Sequence, residues 1–440
     1  LPRQVFVSGK LGDFNVSKHN YHKHIAFSFV FLTWIFSLAA CSNVSAQPEG
    51  HKHAVAPAVG KPESEGARKV AGFKFNPLNF TPPKAERVVL DNGMILYLLE
   101  DHDLPIFNVN ARFKTGAVYD PQGKAGLASL TGHVMRDGGS VSMPADTMNE
   151  ELEFLAASVE TSIDRESGHA SLSTLKKDID KGLKIFADVL MHPAFPEDKI
   201  NMRRDEVIES IRRENDNPMH ISQREFRKIL YDSAHPYSRK IDGTMESIVA
   251  ITRDDIVAFH KKYFHPNNVI MGIAGDFSKD EIIKKLNVVF ADWKKEAIAF
   301  PEVPKVERKY EKSVNYIYKD VNQSNVIMGH LGITRKSPDY FPVMIMNFVL
   351  GGGAFTSRIP GRIRSDEGLA YSANSAFQTS RDVGIFFISC QTKLESTNRA
   401  ISIALEELEK IRKAPITMDE LVQAKETFTN QFVFRFTTSA

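Results

Sequence analysis

Two stretches of the chain carry the same succession of hydrophobic and polar positions. GHASLSTLKKDIDKGLKIFADVLMHPAFPEDKINMRRDEVIESI, beginning at Gly168, reads as strand, amphipathic helix, proline-containing turn and second helix. GIFFISCQTKLESTNRAISIALEELEKIRKAPITMDELVQAKETF, beginning at Gly384, reads in the same order. Gly168 matches Gly384 and Ile200 matches Leu421, which sets the copies about 220 residues apart. They share amphipathic spacing and turn placement more than identity. The pattern therefore predicts two copies of one α+β unit.

Folded sequence is expected to begin near ERVVLDNGMILYLLED, where two β-rich runs flank the hairpin signal Asp91-Asn92-Gly93. The first copy continues past its second helix through HPYSRK, a helix TRDDIVAFHKKYF and a strand NNVIMGIAGDF, ending near residue 277. The second copy stops at Ala440, before those elements. About 55 residues, a helix pair and an edge strand, are expected to be absent from its C-terminal side. The proline- and charge-rich FPEVPKVERKYEKS suits a connector. The boundaries read as 80–297 for the first domain, 298–313 for the linker and 314–440 for a C-terminally truncated second domain.

The N-terminal region changes the picture of where the protein acts. His22-Lys23-His24 precedes IAFSFVFLTWIFSLAA, a run of 16 residues, and then Cys41. A spanning helix needs roughly 20 apolar residues, so a basic flank, a short apolar core and small residues before a cut predict an export signal. The ending LAAC resembles a bacterial lipobox, which would make Cys41 a lipidation site and anchor the protein to the membrane. A cut after Ala46 would release it instead. Residues 1–46 are thus read as upstream residues and signal, and 47–79, rich in Pro, Gly, Ala and charge, as a flexible tether. The expected location is the bacterial envelope, on the periplasmic side, as an outer-membrane lipoprotein.

Composition excludes more than it assigns. At 440 residues more than one core is expected. The net charge of +2 and the lack of an RNA-binding signature give no reason to expect nucleic acid as a partner. With two cysteines, Cys41 and Cys390, no disulfide framework is expected, and Cys390 within GIFFISCQT reads as a buried small hydrophobe.

Several motifs together resemble the pitrilysin/insulinase metallopeptidases: LDNGMILYLLED, FKTGAVYDPQGKAGLASL, HPYSRKIDGTMESIVAITRDDIVAFHKKYFHPNNVIMGIAGDF, LGGGAFTSRI and RSDEGLAYS. The resemblance spans residues 80 to 440. It implies an α+β fold of two homologous domains, each a mainly antiparallel sheet with helices packed on one face, enclosing a peptide-binding cleft. Members that cleave peptides carry His-x-x-Glu-His on a helix. Positions i and i+4 share one face, so two imidazoles can hold one zinc while the glutamate takes a proton from the bound water. A glutamate from a later helix completes the ligands.

Laid on AGLASLTGHVMRDGG, that motif falls on Ser129 for the first histidine, Gly132 for the glutamate and His133 for the second histidine. Serine is a poor zinc ligand, and glycine has no side chain to act as base. Glu209, 76 residues after His133, suits the distal ligand, although Glu206 or Ser210 could equally hold that place. His133 and Glu209 would be a two-ligand remnant at best, so no catalytic residue and no cofactor are expected, with zinc a secondary possibility. Asp137, one turn after His133, could add a carboxylate, but its Asp-Gly-Gly context looks like a helix end. If Glu209 is the third ligand, Ser129→His with Gly132→Glu is expected to rebuild zinc binding.

In the second half, Arg364 and Tyr371 of RSDEGLAYS match the arginine and tyrosine with which the family holds substrate. The resemblance then implies a non-catalytic subunit, binding or presenting peptides beside an active zinc-peptidase paralogue as a heterodimer. The alternatives are an active zinc peptidase with atypical ligands and a stand-alone protein-binding scaffold.

Overall fold

The Asp91-Asn92-Gly93 turn closes as its sequence demands. The Gly93 amide donates to the Leu90 carbonyl at 2.8 Å and the Leu90 amide to the Met94 carbonyl at 3.0 Å. Gly93 sits at φ 88°, a conformation that costs a residue without Cβ nothing. This hairpin starts the first half in a computed structural model that describes residues 4–8, 80–306 and 312–436. Cys41, the apolar run before it, the cut after Ala46 and the tether 47–79 lie outside the described residues. No helix among the described residues is long and apolar enough to cross a membrane.

Chain order gives β1 (Gln4–Ser8), β2 (Glu86–Val89), β3 (Ile95–Glu100), β4 (Ile106–Phe113), β5 (Ser158–Ile163), β6 (Gly168–Leu175), β7 (Val269–Gly275), β8 (Ser313–Ile317), β9 (Gln323–Leu331), β10 (Ala370–Gln378) and β11 (Ile385–Lys393). The helices are α1 (Leu127–Asp137), α2 (Ala145–Phe154), α3 (Ile179–Met191), α4 (Glu197–Glu214), α5 (Pro218–Tyr231), α6 (Met245–Ala250), α7 (Arg253–Tyr263), α8 (Lys279–Val289), α9 (Tyr340–Asn347), α10 (Thr397–Lys413) and α11 (Met418–Val433).

The first sheet has the order β2-β3-β7-β4-β6-β5, antiparallel except where β3 pairs with β7. β4 alternates strictly: Phe107, Val109, Ala111 and Phe113 are buried, while Asn108, Asn110 and Arg112 lie on the opposite, polar face. Leu183, Phe186 and Leu190 of α3 and Leu130 and Val134 of α1 join the same core. Each fully buried side chain of this size contributes about 1.5–3 kcal/mol, so this cover fixes which face of the sheet turns inward.

The second sheet has the order β10-β11-β9-β1-β8. Its β9-β11-β10 part repeats β4-β6-β5, with β10, like β5, at one edge. Between β8 and β9 lies β1, antiparallel to β8 and parallel to β9. In the corresponding place of the first sheet, β7 runs parallel to β3 and antiparallel to β4. The second half has its own core of Val326, Met328, Leu350, Ile359, Ile388 and Ile403. Ile327, Leu331 and Ile385 instead join the first core. β9 therefore buries both faces, which explains the unbroken Val326-Ile327-Met328 where β4 alternates. Gly329 permits it: a Cβ there would lie 2.8 Å from the ring of Phe226 on α5 and 2.1 Å from the Phe386 carbonyl oxygen.

Residues 81–440, with the first fifteen, form one compact unit; 16–80 form another, of which only Phe80 is described. The connector is packed as well as linking. Phe300 stacks on Tyr119 and Tyr263 with the Lys114 ammonium 4.1 Å from its ring, and the Pro304 carbonyl accepts from His235 Nε2 at 2.8 Å. His235 is thus a turn residue locked by the linker, as its proline neighbour suggests.

Candidate functional site

Helix α1 starts without a capping side chain of its own. The carboxylate of Asp120, brought back by the preceding loop, accepts from the Gly126 amide at 2.8 Å and the Ala128 amide at 2.9 Å. Gly126 turns the chain at φ 100°, where a Cβ would strike Ile248 and the Asp242 carbonyl. Burial pushes the Asp120 carboxyl up to about 7, against the opposing pull of the helix amides and Arg239. So the site helix hangs on one buried acid.

Its three motif positions have three different fates. Ser129 is buried and donates from Oγ to Asp242 Oδ1 at 2.8 Å. Gly132 is the point at which α1 rests on β5. A Cβ there would stand 2.5 Å from the Ile163 amide nitrogen and 2.8 Å from the Ser162 carbonyl carbon. The Thr161 hydroxyl also donates to the Gly132 carbonyl at 2.6 Å. His133 is half-buried, and burial with the nearby Arg203 guanidinium holds its pKa below the ordinary imidazole value, against Asp137, Asp242 and Glu206.

On α4, Glu206 pairs with Arg203 at 2.9 Å and is the helix's acidic group that acts on His133. Glu209 instead pairs with Arg212 one turn on, its side chain as exposed as that of Glu206. Of the three candidates for a distal ligand, Glu206 is the one whose charge acts on His133, and it is already paired with a guanidinium. Among the described residues no group of three His, Cys, Asp or Glu side chains could hold a metal ion. The donor set does not fit zinc: a serine committed to Asp242, a glycine, one histidine and an arginine.

The geometry weighs against the rebuilding of a zinc site by Ser129→His with Gly132→Glu. A glutamate there would bring its Cβ to 2.5 Å from β5 backbone, so α1 or β5 would have to shift, and backbone gives way less cheaply than the end of a side chain.

Arg364 and Tyr371 are brought together. The guanidinium carbon lies 4.5 Å from the Tyr371 ring and 4.4 Å from the Phe355 ring, and Nη1 donates to the Tyr371 carbonyl at 3.1 Å. Tyr371 is 83 % exposed, on edge strand β10. The preceding LGGG run lets the chain lie on that strand: a Cβ at Gly351 would be 2.7 Å from the Ser375 amide nitrogen. Cys390 is free and buried in the second core, and burial pushes its thiol up to about 12.

Sequence reasoning missed Asp120, Asp242 and Arg203. None lies within the thirteen-atom reach of the motif helix's own turns; they meet it from loops and from α4. It also missed the seam between the halves. There the Arg381 amide donates to Glu166 at 2.9 Å, Arg381 Nη1 to the Tyr119 hydroxyl at 2.9 Å, and the Tyr237 hydroxyl to Asp382 at 3.1 Å.

Two α+β repeats, the first with a helix of peptidase-motif spacing seated on an edge strand, define a metallopeptidase-like scaffold without its metal donors. Comparison with known proteins agrees with that class. Residues 98–242 match the family described as insulinase (peptidase family M16), and 250–428 the one described as peptidase M16 inactive domain. The chain belongs to peptidase family M16. It is 26% identical over 327 residues to a Helicobacter pylori protein named non-peptidase homolog YmxG, covering 74% of each chain. It is 24% identical to an uncharacterized zinc protease of Rickettsia bellii, covering 78% of this chain and 84% of that one. Among solved structures, a peptidase M16 inactive domain from Pseudomonas fluorescens matches with a TM-score of 0.72 at 25% identity, over 79% of this chain and 83% of that one. A protease from Helicobacter pylori shares the fold with a TM-score of 0.71 at 23% identity, over 81% and 87%.

Proposed function

We propose that this family M16 protein is a non-catalytic subunit that binds and presents peptides beside an active zinc-peptidase relative in the bacterial envelope. The observation that carries the reading is Gly132. The residue in the base position has no side chain to accept a proton, and β5 backbone comes within 2.5 Å of where its Cβ would stand. The name of the Helicobacter pylori relative, a non-peptidase homolog, supports the same direction.

Peptide recognition needs no metal. β5 is an edge strand, hydrogen-bonded on one side to β6, with Glu160 and Ser158 exposed along it. An extended peptide would add to that edge through main-chain hydrogen bonds. Tyr371 offers a second contact, an exposed ring backed by Arg364. The lipid anchor at Cys41, the envelope location and the heterodimer belong to this proposal; they rest on LAAC, on the apolar run before it and on the missing base.

The test is co-purification of the full chain from native envelopes after mild crosslinking, with peptide cleavage assayed before and after separation. An active M16 peptidase in the eluate, and cleavage that leaves with it, supports the proposal. A chain that recovers alone and cleaves peptides by itself overturns it in favour of the atypical-ligand enzyme. A chain that recovers with other proteins, never with a peptidase, overturns it in favour of the scaffold.

A further inference from the structure

A pocket of about 250 Å³ opens at the seam between the two halves. Asp164 to Ser167, the turn joining β5 to β6, form one wall with Arg227, Tyr231 and Tyr237; Gln378 to Ser380, Val383 and Ile385 of the second half form the other. Two guanidinium groups face this space. Arg165 Nη1 is held by the carbonyls of Arg239 at 2.9 Å, Tyr237 at 3.3 Å and Pro236 at 3.4 Å. Arg227 Nη2 donates to Gln378 Oε1 at 2.8 Å. These partners are all neutral, and neither arginine pairs with a carboxylate among the described residues.

The two acids in the wall are engaged elsewhere. Asp164 lies 3.3 Å from His169 Nε2, while Glu166 accepts from the Tyr237 hydroxyl and from the Arg381 amide. Burial and mutual repulsion act on the two cations: the Arg165 guanidinium is brought down to about 10 by burial first and Arg227 next, against Tyr231, Tyr237 and the Glu166 carboxylate, and burial lowers Arg227 as well. Two half-buried guanidinium forks with neutral hydrogen-bond partners are an incomplete arrangement, since a partly buried cation gains most from an opposite charge with matching geometry.

We propose that this seam pocket binds a carboxylate, held by Arg165 and Arg227 of the first half and contacting Gln378 and Ser380 of the second. The carboxylate comes either from a small free acid or from an acidic residue of a bound peptide. Its occupant bridges both halves, so binding ties them together. The proposal stands apart from the reading of the α1 site, and it holds equally for a catalytic or a non-catalytic chain.

Calorimetric titration of the full chain tests it with matched pairs: N-acetylglutamate against N-acetylglutamine, and a glutamate-containing peptide against its glutamine counterpart. The acid of at least one pair binds and its amide does not; the pair that responds identifies the source. Arg227→Met lowers that affinity about tenfold or more, as expected for losing a hydrogen bond to a charged group. Gln378→Glu places a carboxylate beside Arg227, so it raises Tm and abolishes the ligand response; this variant localises the site even if Arg227→Met fails to fold. Equal binding of acid and amide, no binding in either pair, binding of inorganic phosphate that the acids do not displace, or full affinity in Gln378→Glu overturns the proposal.

Discussion

Replacing Gly132 by alanine sets two effects of known size against each other. In a helix interior the change gains about 1 kcal/mol of propensity. At this position, however, the new Cβ meets the Ile163 nitrogen at 2.5 Å, the Ser162 carbonyl carbon at 2.8 Å and Ile163 Cγ1 at 2.8 Å. Two of these atoms belong to backbone of a strand paired along its whole length to β6. Relief requires α1 to back away from β5, which opens the core around Leu130 and Val134 and stretches the Thr161 hydrogen bond to the Gly132 carbonyl. Overpacking of this kind costs about 1–3 kcal/mol, and a weakened buried hydrogen bond about 1 kcal/mol more. The clash wins, leaving a net loss of about 1–3 kcal/mol. Gly182 of α3 is the control. A Cβ there meets only side-chain atoms, Leu172 Cδ1 and Thr174 Cγ2 at 3.2 Å and Thr174 Cβ at 3.4 Å, so Gly182→Ala should cost clearly less than Gly132→Ala. Urea unfolding of the two variants beside the parent reads the difference directly as a shift in midpoint. Gly132→Ala as stable as Gly182→Ala would refute the seating of α1 on β5, and with it the argument that a base there would force α1 or β5 to shift.

Other consequences follow from the same contacts. Ser129→His combined with Gly132→Glu binds no zinc by equilibrium dialysis and unfolds earlier than the parent. Asp120 takes up a proton on folding, because its pKa is raised in the folded state; its contribution is full below the unfolded value and is lost as pH rises through about 7. Stability should thus fall between about pH 4 and pH 7 by at most about 1.4 kcal/mol per pH unit from this group, and Asp120→Asn should flatten that slope. Glu420 behaves oppositely. Its carboxylate is held down to about 2 by Arg358, in a two-pronged pair at 2.7 Å and 2.7 Å, so it stabilises above the ordinary glutamate range and is lost as pH falls toward 2. Arg358→Met should remove that acid-side dependence in a pH series of thermal melts. Tyr371→Ala should leave stability within about 0.5 kcal/mol, since the ring is exposed, while weakening peptide binding in fluorescence anisotropy.

The repeat was legible because its signals are local. Hairpin, amphipathic helices and proline turns each depend on neighbours in sequence, and β2-β3, α3-α4 and α10-α11 lie where their patterns put them. The alternation of β4 and the unbroken run of β9 differ for a reason no single strand reveals: α5 of the first half covers the second sheet's other face. At the site, the sequence shows what the motif lacks but not what replaced it. Gly132 read as a deletion, and in the fold it is a contact surface. Glu209 had the right spacing, yet it pairs with Arg212, and Arg203 and Glu206 are the α4 charges that act on His133. The seam pocket had no sequence signal, since its arginines come from a turn and a helix about 60 residues apart and its far wall from the second half.

Zinc content tests the central claim most directly. The full chain, purified without chelator and equilibrated with excess zinc before exhaustive gel filtration, should carry far less than one zinc per chain by mass spectrometry. One tightly held zinc per chain, lost on His133→Ala, would contradict the account and return the helix to the enzymes.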